Sequence, residues 1–265
     1  MPELPEVESV RRRAHRALRG RRIAAVVAAP DAIVFEGVSP RQVEDALTGR
    51  RVLAVRRKGK HLWMELDRRP WPLFHFGMTG WFEIYEREED RPRFWKIELR
   101  MDDGTRLAMP DGRRLGRIRL RYAPERESPL VNLGRDLLLD PPSEGDLVRL
   151  LARRNAPIKA VLLDQAAFAG VGNWIADEAL FQSRIRPDRL ASRLSRAEVR
   201  RLRTRLVSVV KHAVRVDADS DRFPRGWLFH RRWGKNREAR TAAGERIVHH
   251  TIGGRTTAWV PSRQR

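Results

Sequence analysis

Seven short runs of β-type residues lie between positions 23 and 121, and beyond position 146 the pattern turns helical. The runs cover 23–29, 51–56, 61–66, 73–76, 81–85, 96–101 and 117–121, with Gly, Pro and Asp between them. Asp102-Asp103-Gly104 carries a hairpin signal. So many short strands with frequent turns restrict this half to a β-sandwich or barrel. Val7, Val10, Ala14 and Leu18 fall at helix spacing before Gly20, and a short helix is predicted over 40–47. Later helices are predicted over 147–152, 158–164, 174–181 and 197–214. Pro157 suits a first helical turn, and Ser195 with Glu198 has the spacing of a capping box. The fold class expected is α+β, with a β-sandwich flanked by helices and then a helical domain. The divisions expected are 1–135 for the sandwich, 136–146 for a linker carrying Pro141-Pro142, 147–221 for the helices and 222–265 for a basic hairpin-like tail.

Charge narrows the function. Lys and Arg total 55 against 34 Asp and Glu, a net +21, with an isoelectric point near 11.5. That exceeds the value of about 9 that flags nucleic-acid binders. The charge is spread along the chain, which argues against a membrane-surface helix. No apolar run approaches a membrane span. The first 15 residues hold Glu3, Glu6 and Glu8 and no apolar block, so no signal peptide is expected, and the simplest compartment is the cytosol or a bacterial nucleoid. Cys is absent, which excludes disulfides, thiol catalysis and Cys-based zinc sites.

Several short segments could carry chemistry. With Pro at position 2, removal of the initiator Met is expected, which exposes a secondary amine. An α-amine has a pKa of about 7.7–8, so a useful fraction is a free nucleophile at neutral pH. Attack on a sugar C1′ would give an iminium, an electron sink for β-elimination. Glu3 or Glu6 could serve as acid or base, or could merely favour a helix N-terminus. Arg56-Arg57-Lys58-Gly59-Lys60-His61 reads as a basic turn between strands. In His75-Phe76-Gly77-Met78-Thr79-Gly80, glycines around one Met could expose a wedge for a base stack, or the Met could fill a core gap. Asp111-Gly112-Arg113-Arg114-Leu115-Gly116 could clamp a phosphate or probe a base edge, or form a charged surface turn. The stretch from Ile158 to Leu180 reads as helix, glycine turn, Asn173 cap and helix, which suits phosphate binding or an ordinary packing corner.

The opening Pro2-Glu3-Leu4-Pro5-Glu6-Val7-Glu8 closely resembles that of the formamidopyrimidine-DNA glycosylase/endonuclease VIII (Fpg/Nei) family. The resemblance continues, in the family's order, through the segments above. It implies a bifunctional DNA glycosylase/AP lyase of base excision repair. Pro2 is then the nucleophile, Glu3 the acid/base group with Glu6 beside it, and Lys60, rather than Lys58, the phosphate contact that assists excision. Met78 fills the gap left by a flipped nucleotide. Arg113 pairs with the base opposite the lesion, and Leu115 stands where bacterial members have Phe. Lys159 and Asn173 match phosphate-binding residues of a helix–two-turn–helix element, and Arg255 matches another. In the tail, Asn236, Ala239, Val260 and Arg263 stand where the family's zinc ligands would be. A zincless finger is therefore expected, with no metal and no cofactor, held by packing of Trp227, Trp233 and Trp259. The partner implied is double-stranded DNA with oxidised bases or abasic sites, bound by a monomer without a membrane. Oxidised purines such as 8-oxoguanine and formamidopyrimidines are favoured. Alternatives are oxidised pyrimidines or hydantoins, a catalytically silent damaged-DNA binder, and an RNA-binding protein.

Overall fold

The computed structural model describes residues 2–234 and 238–265. The described residues divide into two units, Pro2 with residues 6–132, and residues 3–5 with those from 133 onward.

The first unit holds helix α1 (Leu4–Leu18) from Glu6 onward and two four-stranded antiparallel sheets. One sheet orders β1 (Ile23–Ala28), β6 (Trp95–Met101), β7 (Arg106–Pro110) and β5 (Glu83–Tyr85). The other orders β2 (Val52–Lys58), β3 (His61–Leu66), β4 (Trp71–His75) and β8 (Arg117–Arg121). Period-2 alternation explains the pairing of faces. Leu62, Met64 and Leu66 of β3 join Ile97 and Leu99 of β6, Leu107 and Met109 of β7, and Phe74 of β4 in one core. Val7, Ala14 and Leu18 of α1 close that core, as do Val43 and Leu47 of α2 (Pro40–Leu47). Helix α2 starts on a Ser39–Gln42 capping box. Strand β7 is an addition to the runs read from the sequence. Arg106 and Pro110 obscure its alternation, and pairing on both sides, with β6 and β5, makes it a strand.

The second unit corrects the linker. Residues 136–146 are packed: Asp136 and Leu137 are buried, and β9 (Arg135–Asp136) pairs in parallel with β10 (Phe168–Ala169). The Asp136 carboxylate accepts from Leu138 N at 3.0 Å and Leu139 N at 3.2 Å. Helix α3 (Glu144–Ala152) already begins on a Ser143 cap. The two prolines mark a turn within a unit, and the division falls between Asn132 and Leu133. Helices α4 (Ile158–Leu163), α5 (Asn173–Ser183) and α6 (Arg196–Arg215) follow. Helix α6 carries the expected Ser195–Glu198 capping box. It buries Val199, Leu202, Leu206, Val209 and Val210 against α5 residues such as Ile175 and Ala179.

The tail forms a hairpin, β11 (Val248–Ile252) with β12 (Arg255–Trp259). Gly253 and Gly254, at φ 60° and 71°, make the two-residue turn that side chains disfavour. Its apolar centre is Phe181, Leu228, Ile247, Ala258 and Val260, with Ala239 against it. The tryptophan expectation is revised accordingly. Trp259 is buried, but Trp233 is exposed, and Trp227 stacks on Trp174 and Phe223 in the helical core. Ala239 and Val260 offer no donor to a metal, and Arg263 lies over Phe181 at 4.7 Å while pairing with Glu245. Asn236 lies outside the described residues. Among the described residues no group of three or more acidic or His side chains could hold a metal ion, and no helix is long and apolar enough to cross a membrane.

Candidate nucleic-acid interface and nucleophile

Pro2 is half-buried. Its neighbour Glu3 is buried, and its carboxylate accepts from Trp174 N at 2.9 Å and Ile175 N at 3.1 Å. These are N–H groups of the first turn of α5, which lack intrahelical partners. Glu3 thus does for α5 what a cap residue normally does. Gly172 makes room for it, since a Cβ there would lie 2.2 Å from Glu3 Cδ. Leu4 N adds a bond to Gly170 O at 3.0 Å. This corrects the reading of Asn173 as a cap. Gly172 is the N-cap and makes no side-chain bond to α5. The Asn173 amide donates instead to Thr256 O at 2.9 Å, tying the glycine turn to the hairpin.

Lys159 is also revised. It is fully buried, bonded to Asn173 O at 2.9 Å and paired with Asp177. Its ammonium therefore faces the interior, where it braces the turn. Burial pushes its pKa below the usual Lys value, with the Asp177 carboxylate opposing. Asp177 also accepts from Arg232 Nε at 3.1 Å and Nη2 at 2.6 Å, and from Ala258 N at 3.2 Å. One carboxylate thus joins α4, α5 and the finger. Arg255 stands exposed at the start of β12.

Within the first unit, Lys60 sits half-buried in the β2–β3 turn. The neighbouring Lys58 donates through Nζ to Leu130 O at 3.3 Å. Arg57 is buried against Glu8 at 3.1 Å, which fastens the turn to α1. Burial alone would raise the Glu8 pKa, but its bonds with Arg11 and Arg57 outweigh that and lower it. Glu6 is half-buried in the first turn of α1. The rings of His61 and His75 lie 4.7 Å apart. Burial lowers both, to about 3 and about 4, with further lowering by the Lys60 charge, so both are neutral at pH 7.

Met78 and Leu115 are 38% and 39% exposed, unlike gap-filling core residues. Their loops touch: a Cβ on Gly77 would lie 2.4 Å from the Leu115 carbonyl carbon. Buried Asp111 fastens both. It accepts from Gly116 N at 2.6 Å, Arg113 N at 3.2 Å and Thr79 Oγ1 at 3.2 Å. Arg114 is held by Asp31 through two bonds of 3.0 Å. Burial would raise the Asp31 pKa, but Arg114 and Lys96 hold it well below the usual carboxylate range. Arg113 is exposed, so the pair of arginines divides into an anchor and a presented group. Asp111 and Asp177 were not singled out from sequence. A turn-forming Asp before Gly112 was the available signal for the first, and the second had none.

An N-terminal sandwich unit and a helical unit with a glycine-turn element and a hairpin place the chain among two-unit α+β proteins, here with a net charge of +21. The family model "Formamidopyrimidine-DNA glycosylase N-terminal domain" matches residues 1–118, and "Formamidopyrimidine-DNA glycosylase H2TH domain" matches 133–224. A formamidopyrimidine-DNA glycosylase of Arabidopsis thaliana is 42% identical over all of this chain and 71% of its own length. One from Cytobacillus firmus is 32% identical over the whole of both chains. The fold is similar to that of Lactococcus lactis Fpg in a complex with DNA containing N7-benzyl-Fapy-dG, with a TM-score of 0.87, 24% identity and full coverage of both chains. The chain belongs to the formamidopyrimidine-DNA glycosylase family.

Proposed function

We propose that this protein is a bifunctional DNA glycosylase/AP lyase of base excision repair, acting on oxidised purines. Pro2 is its nucleophile. The free secondary amine attacks C1′ of the damaged nucleotide, the N-glycosidic bond breaks, and the base leaves with that electron pair and a proton. Loss of the ring oxygen from C1′ gives the iminium, with Glu3 exchanging protons at the sugar. The iminium acidifies the adjacent carbon, and β- then δ-elimination cuts the strand. Lys60 and Arg255 bind phosphates, Met78 and Leu115 enter the stack, and Arg113 reads the opposite base. Asn173 orders the backbone of the phosphate-binding turn, and Lys159 braces it from within. Glu6 supports the N-terminal turn. No cofactor enters these steps, and the protein acts as a monomer on double-stranded DNA.

The observation that carries the reading is the seating of Glu3 on the α5 N-terminus, which gives the residue next to Pro2 a fixed place. A mobile chain end would lose the effective concentration that a covalent step needs. Relatives named formamidopyrimidine-DNA glycosylase support the purine substrate; Lactococcus lactis Fpg, which has a similar fold, is known in complexes with DNA containing N7-benzyl-Fapy-dG and with abasic-site DNA. The test is borohydride trapping on duplexes carrying an abasic site or 8-oxoguanine. An adduct with the parent protein that is lost in Pro2→Gly is expected on both. No adduct on either, from protein confirmed by mass to begin at Pro2, refutes the catalytic reading.

A further inference from the structure

Phe94 precedes β6 and is 62% exposed. Its backbone is left-handed, at φ 59°, a region that bulky residues rarely enter. The strain would be relieved by Gly or Asn, so the ring needs a reason to be there. Three contacts fix its place. Asp111 N donates to Phe94 O at 3.0 Å. The ring rests on Gly112, where a Cβ would come within 3.3 Å of Phe94 Cδ2. The Arg93 guanidinium lies 5.3 Å from the ring centroid. The ring is thus displayed beside Arg113, on the same Asp111 frame that fastens the Met78 and Leu115 loops.

A solvent-facing aromatic ring with the Arg93 guanidinium against it, resting on the residue before the exposed Arg113, combines a flat apolar surface with positive charge. The ligand chemistry that matches is a nucleobase carried on a phosphate backbone. We infer that Phe94 is a base-stacking residue that takes a nucleobase of the strand read by Arg113. It supplies the aromatic surface that Leu115, an aliphatic wedge, does not. The inference rests on the proposed DNA contact of the Met78 and Arg113 loops, and the experiment separates the two.

Affinities of the full chain are measured for duplexes with a tetrahydrofuran abasic analogue and 2-aminopurine in the opposite strand. The variants are Phe94→Ala, Phe94→Gly, Phe94→Trp, Met78→Ala and Arg113→Ala. Phe94→Gly keeps the left-handed backbone without strain, so its melting temperature should equal or exceed the parent's. Base–aromatic stacking predicts binding weaker by about 5- to 100-fold for Phe94→Ala and Phe94→Gly, retained affinity for Phe94→Trp, and altered 2-aminopurine quenching. Parental affinity and quenching in Phe94→Gly overturn the inference. If Met78→Ala and Arg113→Ala are impaired in that case, only the Phe94 role falls. If they too bind as the parent does, the DNA-contact reading of both loops falls with it.

Discussion

Replacing Asp177 with Asn should loosen the second unit more than any exposed substitution. The carboxylate is fully buried, as is its partner Lys159, and Arg232 is nearly so. Its hydrogen bonds come from Lys159, twice from Arg232, and from Ala258 N at 3.2 Å. Asn keeps the shape but removes the charge and offers one acceptor oxygen where two were used. Two buried cations then lose their counterion. Breaking one side of a buried pair costs about 3–5 kcal/mol. For a unit of this size that corresponds to a fall in Tm of about 10–15 °C. Thermal and urea unfolding read the loss, and hydrogen exchange at Ala258 locates it in the hairpin. In a double-mutant cycle with Lys159→Met, the two changes should fall short of additivity by more than about 1 kcal/mol. An Asp177→Asn protein within about 1 kcal/mol of the parent would refute the hub.

Three further outcomes are expected. Gly172→Ala places a Cβ 2.2 Å from Glu3 Cδ, so the carboxylate must leave its two N–H donors. Stability should drop by about 1–3 kcal/mol and borohydride adduct by about tenfold or more, and unchanged trapping would separate Glu3 seating from catalysis. Burial, with the Asp177 charge adding to it, raises the Glu178 carboxyl from 4.5 to about 7. Its contribution to stability is present below pH 4.5 and is lost as pH rises through about 7. Glu178→Gln should therefore gain about 3 kcal/mol on the parent between pH 4.5 and 8, and a stability difference flat with pH would show the carboxyl to be ordinary. Arg255→Ala should weaken binding to damaged and undamaged duplex alike and reduce the salt-dependence slope by about 1, and an unchanged slope would remove Arg255 from the phosphate contacts.

Much of the fold was legible because it depends on near neighbours. The bounds of α2, the Ser195–Glu198 capping box and the Asp102–Gly104 turn are set by residues within a few positions of each other. The pair proposed to act at the sugar, Pro2 and Glu3, is likewise adjacent in the chain. The linker and β7 were misread or missed because pairing across the chain overrode a Pro-Pro signal and a broken alternation.

Side-chain roles divided along the same line. The sequence by itself determined that no Cys could build the finger, that the charge was strongly basic, and that Met78 and Arg113 lay in glycine-bounded turns. Only the tertiary structure decided that Arg114 is anchored by Asp31 while its neighbour is presented, since that carboxylate lies 83 positions away in the chain. Only it decided that Lys159 is an internal strut, and that Glu3, 171 positions before Trp174, caps α5. Periodicity, capping and turn chemistry are written into adjacent residues. Burial and choice of partner depend on where the chain returns, and burial turns a basic side chain from a ligand contact into part of the frame.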